Sequence, residues 1–474
     1  MRTIHSRDRR RGGAVRALLV AGAVGSITIF AGCQNSLTES LLDADHPTII
    51  DPGNVNSSAG AEAIRVGTLL NLRNITSDWT LAGLVGDEWD ITVSASVTGF
   101  IDQRRGSNPF AIGGFTTALR TLATIRTSAN QAIPLLEKWA PTATANIAEM
   151  YFARGMGELQ IALDFCNGIP LDDGNASPPV YSQPLTNAQI YDVAAASFDT
   201  AMMKSTGTDA ASVNINRAAR IGKARALIGN AKFTDAAALV PASAVPTTYA
   251  YNFTYAITSG DNPIWTLNAS GRSYSLGDSV EGNAHNIIVP GVIPYFTARD
   301  PRVPASYVVA ANGKDTTRGS DGVTYLRATS LYGRTTPITL VSGVDARLIE
   351  AESKLQTGDI AGMTATLNAL RATPLTLGAV NVTPAQLPPL AVPATKDAAV
   401  SLLFRERAFW TFGRGQRLGD MRRLMRQYGR TQEQVYPTGT YPTGASTYGT
   451  DVTMPIGPDE IGNPNFHACQ DLNP

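Results

Sequence analysis

The sequence predicts a mostly α-helical protein, with helix hairpins as a scaffold and a loop-rich insert that carries a few short strands. Residues 59–240 and 340–430 have apolar side chains at spacings of three and four, which is typical of amphipathic helices. Between these two halves, residues 241–339 lose that periodicity and are rich in Gly, Asn, Asp, Ser and Tyr, which favours loops. The chain has 474 residues, of which 43% are hydrophobic, so it is long enough to bury a sizeable core.

The N-terminus has the pattern of an export signal. Six arginines lie within residues 1–16, and sixteen uncharged, mostly apolar residues follow from Ala17 to Gly32. A basic segment before an apolar run that is shorter than the roughly 20 residues of a transmembrane helix is typical of a signal peptide. Residues 1–32 hold six of the 39 basic and one of the 39 acidic side chains, so the chain beyond them has a net charge of about −5. This charge argues against a generic binder of polyanions such as nucleic acid.

The residues that follow the apolar run resemble the lipobox of bacterial lipoproteins. Phe30, Ala31 and Gly32 come directly before Cys33, although leucine is usual at the position of Phe30. The resemblance implies that the cysteine is acylated, with palmitate among its lipids, and becomes the new N-terminus. Several acyl chains anchor a protein firmly to a bilayer, and Gln34 after the cysteine favours the outer membrane. Ordinary secretion with an incidental cysteine is the alternative, and residues 33–58 are predicted to be a tether.

Two long helices are predicted in the first half of the chain. Residues 115–139 form a strongly periodic stretch, in which Pro134 is expected to kink the helix or end it. Residues 147–165 repeat the pattern, and Gly168 and Pro170 just beyond them stop the helix.

Shorter helix hairpins are predicted in both halves. Residues 218–240 and residues 351–364 each have the pattern of a helix, a turn and a second helix, with small residues near the turn. This is the arrangement of tetratricopeptide-like units. The two stretches match each other only thinly, so they support helix hairpins rather than prove a repeat.

Aromatic residues are concentrated in the insert. They are Tyr249, Tyr251, Phe253, Tyr255, Trp265, Tyr274, Tyr295, Phe296, Tyr307, Tyr325 and Tyr332. Rings in loops above a rigid scaffold suit sugar or peptide recognition, because ring faces bury apolar ligand surface while hydroxyl groups donate hydrogen bonds. The same rings can instead pin the loops to the helices. The predicted ligand contacts are Trp79, Trp89, Asp90, Trp265, Tyr274 and Tyr295.

Residues 401–430 predict two helices joined by a tight connection from Gly413 to Gly415. The stretch contains eight arginines but only two acids, Glu406 and Asp420. We expect the guanidinium groups to pair with carboxylates and helix C-termini elsewhere in the fold, while the stems cover helix surface. A nucleic-acid-binding face is the alternative, and it is disfavoured because the chain beyond the N-terminal segment is not basic.

Cys166 and Cys469 are the two cysteines that remain beyond the lipobox. In an exported protein, an even pair of cysteines favours a disulfide. The sequence has no CxxC motif, and only His467 lies near either cysteine, so a metal site or a catalytic nucleophile fits less well. The bond would fix the tail, residues 431–474, to the first helical half.

Four segments resemble the SusD/RagB family of surface lipoproteins. Residues 403–423 are similar to the family's C-terminal signature, in which Glu406, Gly415, Arg417 and Asp420 match, whereas Arg414 stands where an acid usually precedes the glycine. The other three are the Asn-Gly-Ile-Pro-Leu turn at 167–171, the helix pair at 345–371 and the proline-rich ending at 454–465. The segments occur in the family's order.

This resemblance implies a non-catalytic protein that lies on the cell exterior and is held to the outer membrane by a lipid anchor. It would bind a nutrient, an oligosaccharide or a peptide, and deliver it to a SusC-like TonB-dependent receptor. One alternative is a helical-repeat adaptor of an outer-membrane complex that has no ligand of its own.

A glycan hydrolase is the other alternative. The sequence contains neither H-E-x-x-H nor G-x-S-x-G, and its four histidines are scattered. Asp87, Glu88 and Asp90 form an acidic loop that could supply the acid and the base or nucleophile of a glycosidase. A solvated acidic loop or a cation site is the commoner reason for such a cluster. We therefore expect no catalytic residue, no metal site and no cofactor.

Overall fold

The helices of the first half pack against their neighbours in the order of the chain. A computed structural model of the protein describes residues 53, 55–93, 97–106, 108–173, 180–278, 292–310, 312–313, 316–322, 324–441, 446–457 and 462–474. The helices are α1 (Ser58–Arg73), α2 (Ile75–Val85), α3 (Val97–Asp102), α4 (Pro109–Trp139), α5 (Thr144–Asp164), α6 (Asn187–Lys204), α7 (Ala210–Gly229) and α8 (Phe233–Leu239). Helix α5 is central, because it packs on α4, α6 and α7.

Small residues allow α5, α6 and α7 to approach closely. The ring of Phe198 on α6 lies between Gly155 of α5 and Gly222 of α7. A Cβ atom added at Gly155 would lie 2.8 Å from that ring, and one at Gly222 would lie 2.4 Å from it. Both distances are shorter than a van der Waals contact, so the three-helix packing requires glycine at these two positions.

Helix α4 continues through Pro134 to Trp139, so of the two predicted effects of this proline, a kink or an end, the end is wrong. A proline inside a helix removes one backbone hydrogen bond. Here Ile133 and Leu136, on either side of it, are buried against α5 residues such as Met150. This burial holds the last turn in place.

Strands of the insert form short antiparallel pairs, one of them with a strand of the first half. They are β1 (Trp89–Ile91) with β5 (Tyr274–Leu276), β4 (Ala250–Phe253) with β8 (Ile338–Ser342), and β6 (Ala305–Tyr307) with β7 (Arg327–Thr329). Outside the insert, β2 (Ile169–Pro170) pairs with β3 (Pro184–Leu185), and β9 (Leu375–Leu377) pairs with β10 (Val380–Val382). A short helix, α9 (Pro263–Trp265), precedes a π-helical turn at Thr266–Ser270.

The chain returns to helices after β8. These are α10 (Gly343–Gln356), α11 (Ile360–Arg371), a 3₁₀ turn (Pro384–Gln386), α12 (Lys396–Trp410), α13 (Arg417–Tyr428) and α14 (Gln432–Val435). The predicted fold class, helix hairpins with a loop-rich insert that carries few short strands, is confirmed. Val55–Pro474 forms one compact unit, which includes the two helical halves, the insert and the tail.

The connection between α12 and α13 closes tightly on the first half. Gly415 has a φ of 61°, in the left-handed region that favours glycine, and a Cβ atom there would lie 2.0 Å from the indole of Trp79. The indole Nε1 of Trp79 donates to Gln160 at 3.0 Å, and the Gln160 amide donates to the Gly415 carbonyl at 2.8 Å. Trp79 therefore links α2 and α5 to the hairpin of α12 and α13, which we call the C-terminal hairpin.

The arginines of this hairpin pair with buried carboxylates. Arg417 forms two hydrogen bonds of 2.6 Å with Asp87, which belongs to the first half. Arg414 lies 2.6 Å from Asp345 on α10. Burial opposes ionisation of Asp345, but the Arg414 and Arg225 guanidinium groups lower its pKa to about 2. The interpretation of these arginines as partners of carboxylates is confirmed for these pairs.

The tail is attached to the end of α5. The structure joins Cys166 to Cys469 in a disulfide, with their Cα atoms 5.7 Å apart and a sequence separation of 303. The Met454 amide donates to the Asp164 carbonyl at 2.8 Å, and the Gln470 amide donates to the Asn167 carbonyl at 2.8 Å. The predicted signal peptide, Cys33 and nearly all of the tether lie outside the described residues.

Candidate ligand-binding surface

A ribbon of short strands in the insert presents apolar side chains at the surface. Strand β6 pairs with β7 so that Tyr307 is opposite Arg327, and single bridges extend the ribbon from Val309 to Thr316 and from Arg318 to Tyr325. Alternate residues of a strand point to the same face. Tyr307 and Val309 are 39% and 52% exposed, so this face of the ribbon is open to solvent.

Three aromatic rings form a continuous row on the ribbon. The ring centres of Phe296 and Tyr307 are 4.5 Å apart, and those of Tyr307 and Tyr325 are 5.8 Å apart in an edge-to-face arrangement. Both separations lie in the range in which aromatic pairs attract each other. Phe296 is buried and Tyr325 is half-buried. The exposed ring of Tyr307 is therefore held in position before any ligand arrives.

Two guanidinium groups stack on the same row. The Arg299 guanidinium lies 4.2 Å from the centre of the Phe296 ring, and the Arg318 guanidinium lies 4.6 Å from that of Tyr325. Arg318 also donates to the Gly322 carbonyl at 3.1 Å and to the Tyr325 hydroxyl at 3.0 Å. These cation–π contacts place positive charge beside exposed aromatic surface. We call the surface made by Phe296, Arg299, Tyr307, Val309, Arg318 and Tyr325 the aromatic ribbon.

Buried polar contacts fix the aromatic ribbon to the strand pair β1–β5. The Arg327 guanidinium forms an ion pair with Asp90 of β1 and lies 4.0 Å from Asp278. The Arg327 amide donates to the Ser275 hydroxyl of β5 at 3.0 Å. Asp278 in turn accepts hydrogen bonds from the amide and the hydroxyl of Thr297, at 3.1 and 2.9 Å. The aromatic ribbon thus rests on a network that links the insert to β1 of the first half.

Four of the predicted ligand contacts belong to the core. Trp79, Trp89, Tyr274 and Tyr295 are at most 5% exposed. Trp89 packs on Phe412 with ring centres 4.9 Å apart, and Tyr274 lies 6.4 Å from Trp89. Tyr295 packs on Phe409 and Phe412 of the C-terminal hairpin. Burial keeps these four rings away from a ligand at the surface, and those of Tyr274 and Tyr295 join the insert to Trp89 and to the C-terminal hairpin.

The other two predicted contacts lie in different places. The Asp90 carboxylate is 15% exposed and is engaged by Arg327, so it supports the aromatic ribbon from below. Trp265 is half-buried at the end of α9, and the Arg334 guanidinium lies 5.9 Å from its ring. Arg334 also pairs with Asp261 at 2.8 Å. Contact of Trp265 with a ligand stays a prediction.

The selection of site residues from the sequence missed Tyr307 and Tyr325, although both appear among the aromatic residues of the insert. The available signal was the alternation at Tyr307 and Val309, two apolar residues on one face of a short strand. In the structure this alternation falls at the end of β6, which covers Ala305–Tyr307.

The acidic loop does not offer a pair of accessible carboxylates. Asp87 and Glu88 are 4% and 1% exposed, and Asp87 is held by Arg417. Glu88 accepts a hydrogen bond from the Gly413 amide at 2.9 Å, and burial raises its pKa to about 8. A glycosidic bond cannot reach these two groups in this structure. The described residues also contain no cluster of His, Cys, Asp or Glu suited to a metal ion.

A groove between α12, α13 and α14 is a second candidate surface. It has a volume of about 340 Å³, and its apolar lining includes Leu402, Phe404, Leu424 and Val435. Arg405 stands at its edge. Phe404 is the one aromatic ring of its lining among the described residues, so the aromatic ribbon is better suited to stack on a planar or ring-shaped ligand.

Among the described helices, none combines the length and the hydropathy that crossing a membrane requires. No protein-family model matches the sequence, and no curated protein is significantly similar to it. Solved structures are similar in fold. A SusD superfamily protein from Bacteroides vulgatus has a TM-score of 0.60 at 15% identity, and the match covers 87% of this chain and 98% of that chain.

Two further solved structures show the same likeness. A SusD-like carbohydrate-binding protein from Bacteroides vulgatus has a TM-score of 0.55 at 12% identity, with 77% of this chain and 83% of that chain covered. A SusD/RagB family protein from Bacteroides thetaiotaomicron has a TM-score of 0.55 at 13% identity, with 85% and 98% covered. These alignments include most of each partner and extend over both helical halves. The chain therefore has the fold of the SusD/RagB-like proteins, as the resemblance of its sequence motifs predicts.

Proposed function

We propose that this protein is a non-catalytic, surface-tethered lipoprotein that binds a nutrient and delivers it to a SusC-like TonB-dependent receptor. The observation that carries the proposal is the aromatic ribbon, in which a buried ring, Phe296, and a half-buried ring, Tyr325, hold the exposed ring of Tyr307 in place on a SusD-like scaffold. Its place in the insert matches the expectation that loops above the helices contact the ligand.

The geometry of the aromatic ribbon favours binding over catalysis. Tyr307 offers an exposed ring against which the apolar face of a sugar can pack, and Tyr325 offers a hydroxyl beside it. Carboxylates close to the aromatic ribbon are engaged by other groups: Asp90 and Asp300 by arginines, Asp278 by Thr297 and Asp321 by Thr324. They are therefore poorly placed to act as the acid and the base of a hydrolase.

A glycan is the first ligand to test, and a peptide is the second. One of the similar structures is that of a SusD-like carbohydrate-binding protein, which favours the glycan. The lipobox at Cys33 and the export signal before it support a lipid anchor at the outer membrane. The SusD-like fold and the motifs at residues 403–423 and 454–465 support the receptor as a partner.

The test is a binding measurement with full-length, lipidated protein in mild detergent. We expect a glycan or peptide screen to identify a ligand whose affinity falls at least tenfold in Tyr307→Ala. Tyr181→Ala is the matched control, because Tyr181 is 45% exposed and lies outside the insert. The affinity should not change in this control.

The outcomes separate the proposal from its alternatives. A ligand that binds equally well to Tyr307→Ala would move the site away from the aromatic ribbon. Failure of the wild-type protein to bind any glycan or peptide would favour the adaptor. Turnover of a glycan by the purified protein would contradict the non-catalytic assignment.

A further inference from the structure

We infer that the ligand of the aromatic ribbon is an acidic glycan, which carries carboxylate or sulfate groups, and that Arg299 recognises the negative charge. This inference rests on the proposed function, because it specifies the ligand class of the same surface. Four observations support it: the backbone of Arg299, the position of its guanidinium group, the pairing of the nearby acids and the chemistry of the guanidinium group.

The backbone holds Arg299 in an uncommon conformation. Its φ is 51°, in the left-handed region that residues with a side chain rarely adopt. The conformation follows a turn in which the Ala298 amide donates to the Pro294 carbonyl at 2.9 Å. The exposed Arg299 side chain then extends over the buried ring of Phe296. The turn thus directs this arginine toward the aromatic ribbon.

The guanidinium group of Arg299 is close to the exposed tyrosine. It lies 4.2 Å from the centre of the Phe296 ring, which is 4.5 Å from the centre of the Tyr307 ring. Its carbon atom is therefore within 8.7 Å of the Tyr307 ring centre. A ligand that packs on Tyr307 and extends 8.7 Å from its ring centre is long enough to reach this cation.

The acids around Arg299 already have other partners. Asp300, the next residue, accepts from the Arg302 guanidinium at 2.7 and 2.8 Å. Asp278 accepts from Thr297. The contact of Arg299 with a polar atom is a 3.3 Å hydrogen bond to the Ala305 carbonyl, and no described carboxylate lies within ion-pair distance of it. The charge of Arg299 is thus available to a ligand.

This arrangement contrasts with the C-terminal hairpin, where Arg417 and Arg414 are buried and neutralised by Asp87 and Asp345. A guanidinium group offers parallel N–H donors that match the two oxygens of a carboxylate or a sulfate. A neutral sugar has no charge to pair with it. The negative net charge of the chain beyond residue 32 would repel such a ligand at long range, so a local cation is needed for acidic glycans to bind.

The test compares charged glycans with their neutral counterparts by isothermal titration calorimetry on the full-length, lipidated protein. One pair is polygalacturonate and its fully methyl-esterified form, which tests carboxylates. The other pair is dextran sulfate and dextran, which tests sulfates. We expect one charged member to bind at least tenfold more tightly than its neutral counterpart at low salt, with a smaller difference at 1 M salt because exposed charges are screened.

The variants isolate Arg299. Arg299→Gln should weaken binding of the charged glycan about fivefold, the upper end for an exposed ion pair, and leave the neutral glycan unaffected. Arg299→Lys should retain part of the effect. Lys138→Gln is the control, because Lys138 is also an exposed cation over an aromatic ring, 4.8 Å from the centre of the Trp139 ring, and belongs to neither candidate surface. It should bind like the wild type.

Each result has a definite reading. Equal binding of charged and neutral glycans, or equal losses in Arg299→Gln and Lys138→Gln, would overturn the inference. If neutral glycans alone bind and Tyr307→Ala abolishes their binding, the proposed function stands and the inference falls. If no glycan or peptide binds, both fall.

Discussion

Asp420 is predicted to be a main electrostatic support of the C-terminal hairpin, and Asp420→Asn tests this role. One carboxylate oxygen accepts from Arg407 at 2.7 Å, and the other accepts from Arg407 at 2.9 Å and from Arg423 at 2.8 Å. All three side chains are at most 5% exposed. Burial opposes ionisation of Asp420, but the two guanidinium groups hold its pKa below its usual value.

The expected loss follows from what remains after the substitution. Asparagine removes the negative charge, so Arg407 and Arg423 are left as neighbouring buried cations. Glu352 still pairs with Arg423 and lies 3.6 Å from Arg407, so neither arginine is isolated. Removing one partner of a buried ion pair costs about 3 to 5 kcal/mol. Because Glu352 compensates in part, we expect a decrease of about 3 kcal/mol in the free energy of unfolding.

The assay is urea denaturation of wild type, Asp420→Asn and a surface control, followed by far-UV circular dichroism. The control is Asp397→Asn, which removes an acid that pairs with Arg430 at 2.8 Å but is 76% exposed. Exposed pairs contribute at most about 1 kcal/mol. A loss of less than 1 kcal/mol in Asp420→Asn, or equal losses in both variants, would refute the reasoning.

Two further predictions concern the tail and the acidic loop. Cys469→Ala should lower the free energy of unfolding by about 2 to 5 kcal/mol, because it removes the disulfide. Peptide mapping of the wild-type protein without reductant checks the bond, and failure to find a peptide linked through Cys469 would contradict it. Because burial raises the pKa of Glu88 to about 8, the fold favours the protonated carboxyl. The stabilisation that Glu88 contributes to the fold is complete below pH 4.5, the usual pKa of the group, and is lost as the pH rises toward 8. Glu88→Gln should flatten the fall in stability between about pH 5 and 8, and an unchanged slope in a pH series of denaturation midpoints would exclude this origin.

The helices were predictable because their apolar residues repeat with the helical period. The turn between α7 and α8 and the one between α12 and α13 were predictable for the same reason, since the periodicity stops at small residues. The start of α4 was not predictable from the sequence. Residues 109–114 contain two glycines, which disfavour a helix, and yet they are helical in the structure. Tertiary packing there outweighs the low helix propensity of glycine.

The ligand surface was less predictable, because exposure depends on the whole fold. Trp79 and Tyr307 are both aromatic residues near polar segments. The residues around each of them do not show which ring is in the core and which is at the surface. Burial of Trp79 depends on Gly415, and support of the aromatic ribbon depends on the pairing of Asp90 with Arg327, 237 residues away. Periodicity within a short window cannot reveal partners at such separations.

Delivery of a nutrient to an outer-membrane receptor is the central claim, and isolation of the anchored protein from its native cells tests it most directly. The tagged protein is purified in mild detergent, and the proteins that accompany it are identified and quantified by mass spectrometry. We expect a large TonB-dependent β-barrel receptor in a roughly one-to-one ratio, by the family resemblance and the shared fold. Recovery of the protein alone, or with a periplasmic partner only, would contradict the claim.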